Sequence, residues 1–243
     1  MKTRFAEIDV VRSIAISMMI TFHVLFQLNY FDIHSVNVTT GFWWWFARIT
    51  AGTFIFVAGI SLTISYRRSQ AFRRFLLRGI KIFSWGLAIT LVTYLFVGEA
   101  YVRFGILHFI GVAIILGYFF LKLRFINLIL GTACLVGGIF LNRLVFGFPW
   151  LLWLGLKPQS FVTLDYFPML PWFGVFLLGI FAGKLLYPEG VRRFKFRDLN
   201  NPATKSLGFM GRHSLLIYLI HQPIALAILF ALYYNTMRGY LPF

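Results

Sequence analysis

Residues 8–30 read IDVVRSIAISMMITFHVLFQLNY. A membrane helix needs about 20 mostly apolar residues, and this stretch supplies them. Among its side chains that do not belong in hydrocarbon are Arg12 and His23. At ~100° per residue, the eleven steps between them return a helix to within ~20° of its starting face, so they share that face about 16 Å apart along the axis. A cation and a titratable imidazole inside one span are expensive to keep, which makes them the first candidates for function. The bland alternative is an interfacial anchor at Arg12 and a hydrogen-bonded packing histidine at His23.

The rest of the chain has the same character. It is 243 residues long, 60% hydrophobic and 20% aromatic, with only 12% charged and a mean hydropathy of +0.80. No water-soluble domain of this size hides so much apolar surface. Further apolar stretches fall near 42–66, 78–97, 104–121, 125–141, 168–187 and 213–234. The expected fold is all-α: a polytopic membrane bundle of about seven helices, forming a single domain over 1–243. The net charge of +16 does not argue for nucleic acid, because the charges cluster between apolar stretches, as membrane orientation requires. The lipid bilayer is the expected partner, and a homodimer is left open. The single cysteine, Cys134, sits inside an apolar stretch, so no intrachain disulfide is expected and a small buried apolar role suits it. Glu7, Asp9 and Arg12 interrupt the start of the first apolar run, so that run is expected to remain rather than be cleaved as a signal.

Basic residues set the orientation. One side carries Lys2, Arg4 and Arg12, the 67–81 junction with Arg67, Arg68, Arg73, Arg74, Arg78 and Lys81, the turn with Lys122 and Arg124, and the 184–212 segment with Lys184, Arg192, Arg193, Lys195, Arg197, Lys205 and Arg212. The other side has Arg48, Arg103, Arg143, Lys157 and Arg238, a split of 18 to 5. The positive-inside rule places the N-terminus in the cytoplasm and the C-terminus outside, in a multi-pass protein of the cell membrane. Tyr30, Trp43, Trp44, Trp45, Trp150 and Trp153 fall on the outer side, as an aromatic belt would. Residues 142–167 are too apolar for an ordinary loop and too short to span, which suggests an interfacial or re-entrant piece. Residues 188–206 form the one sizeable polar connector, on the inner side.

Several further polar groups stand out. Asp9 lies three residues before Arg12 and can pair with it on one helix. Arg48 opens the second span, where snorkelling and a site role are both open. His108 lies about one turn inside the fourth span. His221 and Gln222 fall near the middle of the seventh, where Pro223 withholds a donor from the Leu219 carbonyl, as suits a cavity wall. The bland role for His221 is a helix–helix hydrogen bond. Asp165 and His34 lie on the outer side, and His213 begins the seventh span on the inner side, where a cap suits it.

Depth sorts these groups. Arg12 and the basic 67–81 run, with Arg78, form a cationic inner mouth for a phosphorylated donor. His23, with His108 and Asp165 toward the outer half, supplies candidate catalytic groups. Asp9, beside Arg12, and His221 and Gln222, on a cavity wall, are expected to bind the donor with Arg12 and Arg78. Histidine titrates near neutrality, so it can act as a general base or accept an acyl group. No metal is expected, because the histidines lack an HxxxH spacing and carboxylates are few. There is no Gly-rich phosphate loop, GxSxG elbow or CxxC.

The stretches EIDVVRSIAISMMITFH (7–23), FIFVAGISL (54–62), FGILHFIGVAIIL (104–116), LPWFGVFLLGIFAGK (170–184) and SLLIYLIHQPI (214–224) resemble, in order, the catalytic domain of the heparan-α-glucosaminide N-acetyltransferase family. More broadly the chain resembles the transmembrane acyl-CoA-dependent acyltransferases, and the Arg12–x10–His23 spacing is similar to the arginine–histidine signature of the acyltransferase-3 enzymes. The resemblance implies acetyl-CoA as the cytosolic donor and an amino or hydroxyl group of a sugar-like acceptor on the far side. The chain departs from the family's lysosomal enzyme, which has an additional lumenal domain and more membrane helices. That enzyme carries an asparagine where this chain has His23, and its proposed catalytic histidine corresponds best to His34. His23 is favoured here because it is intramembrane and correctly spaced from Arg12, with His34 as its rival. A transporter or flippase for a lipid-linked or polar solute is the alternative, although no inverted repeat is visible.

Overall fold

The computed structural model of the protein describes residues 5–141, 143–148, 150–195 and 202–237. Lys2, Arg4, Arg197 and Arg238, which enter the charge split, lie outside these residues. The described chain is helical, without strands beyond isolated bridges. Its α-helices are α1 (Ala6–Tyr30), α2 (Gly41–Arg68), α3 (Phe72–Val97), α4 (Ile106–Phe120), α5 (Phe125–Leu141), α6 (Met169–Leu186), α7 (Pro202–Arg212), α8 (Ser214–Leu232) and α9 (Tyr234–Met237). α1 to α6 and α8 coincide with the seven apolar stretches. α3 starts earlier than its hydropathy suggests, because Arg73 and Arg74 are good helix formers that an apolar window leaves out.

Among the described residues, five helices are long and apolar enough to cross a membrane: α1, α2, α3 with its 3₁₀ extension to Ala100, α6 and α8. α4 and α5 are apolar but shorter, at 15 and 17 residues. At 1.5 Å per residue they reach roughly 22 and 26 Å, against a core of about 30 Å. α3 exposes Leu91, Val92, Leu95 and Phe96, while Ser13, Gln27, His108, Asn127 and His221 are buried. Apolar side chains on an exposed helix face and polar groups kept buried are both what lipid as solvent favours.

The described helices fall into two compact units. The first comprises Met1–Phe54 and Phe196–Phe243, and the second Ile55–Lys195, so α2 contributes to both. In the first unit α1 packs against α7 and α8. A Cβ on Gly211 would collide with the Asp9 carbonyl, so the end of α7 touches the start of α1 backbone to backbone. Ser13, fully buried, directs its hydroxyl to the Asp9 carbonyl at 2.9 Å and to the Leu207 carbonyl of α7. The sequence reading of 188–206 as a polar connector thus holds only in part, because α7 begins at Pro202, a residue preorganised for a first helical turn.

In the second unit α3 packs on α4, α5 on α6, and α4 on α6. Small residues let these backbones approach. A Cβ on Gly111 would sit 2.8 Å from the Gly79 carbonyl, and one on Gly131 would sit 3.1 Å from that of Gly174. Among the described residues, 142–167 form no helix. Their backbone is satisfied within the segment and by its neighbours: the Phe146 N–H donates to Lys157 (3.0 Å), that of Leu164 to Ala100 (2.9 Å), and that of Phe167 to Phe104 (2.9 Å). Internal satisfaction of this kind is what irregular backbone needs where water is scarce.

Candidate functional site

The polar centre of the first unit lies between α1 and α8. His23 Nδ1 is 2.6 Å from His221 Nε2, and the two rings lie nearly parallel, 14° apart in plane with centroids at 4.9 Å. His221 Nδ1 is 2.6 Å from the Tyr218 carbonyl oxygen. One turn further along α1, Gln27 donates from Nε2 to Gln222 Oε1 at 2.7 Å. His23 and Gln27 are four residues apart and share a helix face. The two contacts therefore form successive rungs joining α1 to α8. α8 runs on through Pro223.

The partners dictate the tautomers. A carbonyl can only accept, so His221 carries its proton on Nδ1 and donates it to Tyr218. In the neutral ring its Nε2 is then an acceptor, and His23 must donate from Nδ1. That leaves the lone pair of His23 on Nε2. A ring nitrogen held unprotonated by a hydrogen bond at the opposite nitrogen is how a histidine is prepared as a base.

Toward the start of α1, Arg12 Nη1 lies 3.0 Å from Asp9 Oδ1, the i,i+3 pair expected from the sequence. The Arg12 side chain keeps 24% of its surface exposed, against 6% for Asp9. The same unit brings Lys205 and Arg212 on α7, both exposed. Arg48, exposed near the start of α2, stacks its guanidinium 3.2 Å from the Trp44 ring centre, a cation–π contact. His34 lies exposed in the loop after α1, its backbone N–H bonded to the Leu28 carbonyl at 3.1 Å.

His108 and Asp165 belong to the second unit, where both serve the start of α4. The Gly105 N–H donates to His108 Nδ1 at 3.2 Å. His108 Nε2 therefore holds the proton and faces Thr90 Oγ1 at 3.3 Å, and that hydroxyl donates to the Val102 carbonyl at 2.6 Å. Phe83 meets the imidazole edge-on and Phe104 stacks on it. Asp165 Oδ2 accepts the Ile106 N–H at 3.0 Å, satisfying one of the orphan donors of the first turn. Arg78 lies exposed on α3.

Burial pushes the Asp165 carboxyl up to about 6, against the pull of the Ile106 and Tyr166 backbone N–H groups. A raised acid binds its proton more readily folded than unfolded. Its stabilising contribution is full below the ordinary value of 3.8 and is lost as pH rises through about 6. Asparagine keeps an acceptor for Ile106 without a charge. The Tm advantage of Asp165→Asn over the parent should therefore grow between pH 5 and pH 7 in thermal unfolding of the detergent-solubilised protein. A difference that does not vary with pH would show that the carboxyl does not titrate in this range.

A family model described as heparan-alpha-glucosaminide N-acetyltransferase, catalytic, matches residues 4–223. The chain belongs to that family. The matched residues take in Asp9, Arg12, His23 and Gln27 at one end and His221 and Gln222 at the other, so every residue of the two rungs lies within the match. Membership suggests a membrane acetyltransferase, and the resemblance carried by the five quoted stretches holds. No curated protein and no solved structure matches the chain.

Of the residues singled out in the sequence, the fold brings His23, His221 and Gln222 together between α1 and α8, and Asp9 with Arg12 toward the start of α1. His108 and Asp165, in the second unit, each accept a backbone N–H at the head of α4. Gln27 was not anticipated. Its signal was present: a buried-polar residue type one turn from His23 on the same face. Ser13, which ties α1 to α7, also drew no attention, since serine in a membrane helix commonly bonds back to its own carbonyls.

Proposed function

We propose that the protein is an integral-membrane acyltransferase. It takes an acetyl group from acetyl-CoA on the cytoplasmic side and passes it to an amino or hydroxyl group of a sugar-like acceptor on the outer side. The observation that supports this reading is the chain from the Tyr218 carbonyl through His221 to His23, which leaves His23 Nε2 as the base. The acceptor's lone pair attacks the thioester carbonyl carbon while its proton passes to His23 Nε2. The C–S bond breaks, and the CoA thiolate recovers the proton from the imidazolium. His221 holds the tautomer and shares the positive charge that develops on His23. His108 and Asp165, whose groups are engaged in fixing the head of α4, act as positioning residues.

The reading uses seven spans, counting α4 and α5 with the five long helices, and places the N-terminus in the cytoplasm. Arg12 then lies at the donor's end. A guanidinium presents its N–H donors in a planar fork, the geometry that suits bidentate contact with phosphate. Arg12→Ala should weaken acetyl-CoA binding by ~1.5–3 kcal/mol, the scale of a charge-assisted hydrogen bond. Arg12→Lys should weaken it less, since an ammonium keeps the charge and loses the fork. Titration calorimetry with acetyl-CoA measures both, and unchanged affinity in folded variants removes Arg12 from the donor site. The activity is tested with purified protein, labelled acetyl-CoA and glucosamine, following N-acetylated product and free CoA together. Solute binding without thioester turnover would assign the protein to the transporter class instead.

A further inference from the structure

One turn from His23 on α1 lies an amide whose oxygen has no hydrogen-bond partner. Gln27 is 4% exposed, and its Nε2 is engaged by Gln222. Its Oε1 is buried and has no hydrogen-bond partner. A buried carbonyl oxygen left unpaired in an apolar surrounding is costly, and such an exception calls for an explanation. Gln27 follows His23 by one turn on the same face of α1. Its amide is held by the second α1–α8 rung, just as His23 is held by the first. The two vacant acceptors, His23 Nε2 and Gln27 Oε1, thus belong to adjacent, braced side chains about 6 Å apart along the helix.

We propose that Gln27 is the specificity-determining residue of the acceptor site. Its Oε1 accepts a hydrogen bond from a hydroxyl adjacent to the group that is acetylated. The inference rests on the reading of His23 as base. Neighbouring amino and hydroxyl groups on a ring lie about 3 Å apart, and each hydrogen bond adds about 2.8 Å, so a vicinal pair spans the interval. The nucleophilic N–H or O–H then points at His23 Nε2 while its neighbour is fixed by Gln27. The substrate class is accordingly a vicinal amino alcohol or diol, and an isolated amine or hydroxyl fills half the site. A site built to bond a substrate hydroxyl discriminates against the analogue lacking it, because its own polar group is then left unpaired.

Equilibrium binding of methyl glucosaminide and its 3-deoxy analogue to the full-length protein in detergent, without acetyl-CoA, tests this apart from the chemistry. The parent should bind the amino alcohol about 10- to 100-fold more tightly than the deoxy compound, the range of one hydrogen bond to a buried partner. Gln27→Met should lose most of that preference. Gln27→Glu keeps an acceptor oxygen, and Gln222 can reverse its amide to meet it, so the preference should return. Should Gln27→Met not fold, Gln27→Asn withdraws the oxygen by one methylene and carries the same expectation. A parent that binds both compounds alike, or a Gln27→Met variant that keeps the preference, overturns the assignment. His23→Ala serves to separate the two ideas. If it retains the preference but loses acetyl transfer, both stand. If it also retains transfer, the reading of His23 as base fails while Gln27 is judged on the preference alone.

Discussion

His23→Ala should lower the rate of acetyl transfer by ~10²–10⁴-fold, the usual size of a lost general base. Binding of acetyl-CoA should change little, because the imidazole acts at the reacting end and not on the donor's phosphates. His34→Ala is the control. His34 lies exposed in the loop after α1, without a second histidine to fix its tautomer among the described residues, and its loss should leave turnover close to that of the parent. Steady-state kinetics with labelled acetyl-CoA measure both variants. If His34→Ala is dead while His23→Ala keeps most of its turnover, the assignment is reversed and the pattern of the lysosomal relative applies. The parent's rate should also fall as pH drops through the titration of the histidine pair, since a base must be unprotonated to accept the acceptor's proton.

His221→Phe should cost about 10²-fold in kcat, less than the loss of His23 itself. Phenylalanine keeps an aromatic ring beside His23 but cannot accept from His23 Nδ1. His23 would then divide its time between tautomers, and only the one with an unprotonated Nε2 is competent. The acidic limb of the pH–rate profile should move as well, because the second ring no longer shares the charge. A purely structural role for His221 would lower stability and yield of folded protein without displacing that limb.

Much of the fold was legible because lipid imposes simple requirements. Apolar stretches gave the positions of α1 to α6 and α8, and the i,i+3 spacing gave the Asp9–Arg12 pair. What periodicity within one helix cannot supply is a partner elsewhere in the chain. His23 and His221 were each conspicuous as imidazoles in hydrocarbon, yet nothing local says that residues 198 apart meet. Asp165 was visible as an outer carboxylate, but its bond to the Ile106 backbone follows from how 163–167 lies beside 100–106. α7 escaped because its charged residues lower the apolar average, while its packing depends on Gly211 and Leu207 meeting α1. Gln27 escaped because glutamine in an apolar run carries no charge to flag it. Only the vacancy at Oε1, seen once Gln222 had claimed the other end, marks it.

Acetyl transfer should cross the membrane with His23 as the base. Proteoliposomes of one orientation, with labelled acetyl-CoA on the face bearing the 67–81 basic segment and glucosamine on the opposite face, test this most directly. The predicted result is N-acetylglucosamine accumulating on the glucosamine side with stoichiometric CoA on the donor side, abolished by His23→Ala. Product formed only when both substrates share a face, or formed equally by the His23→Ala protein, would contradict it.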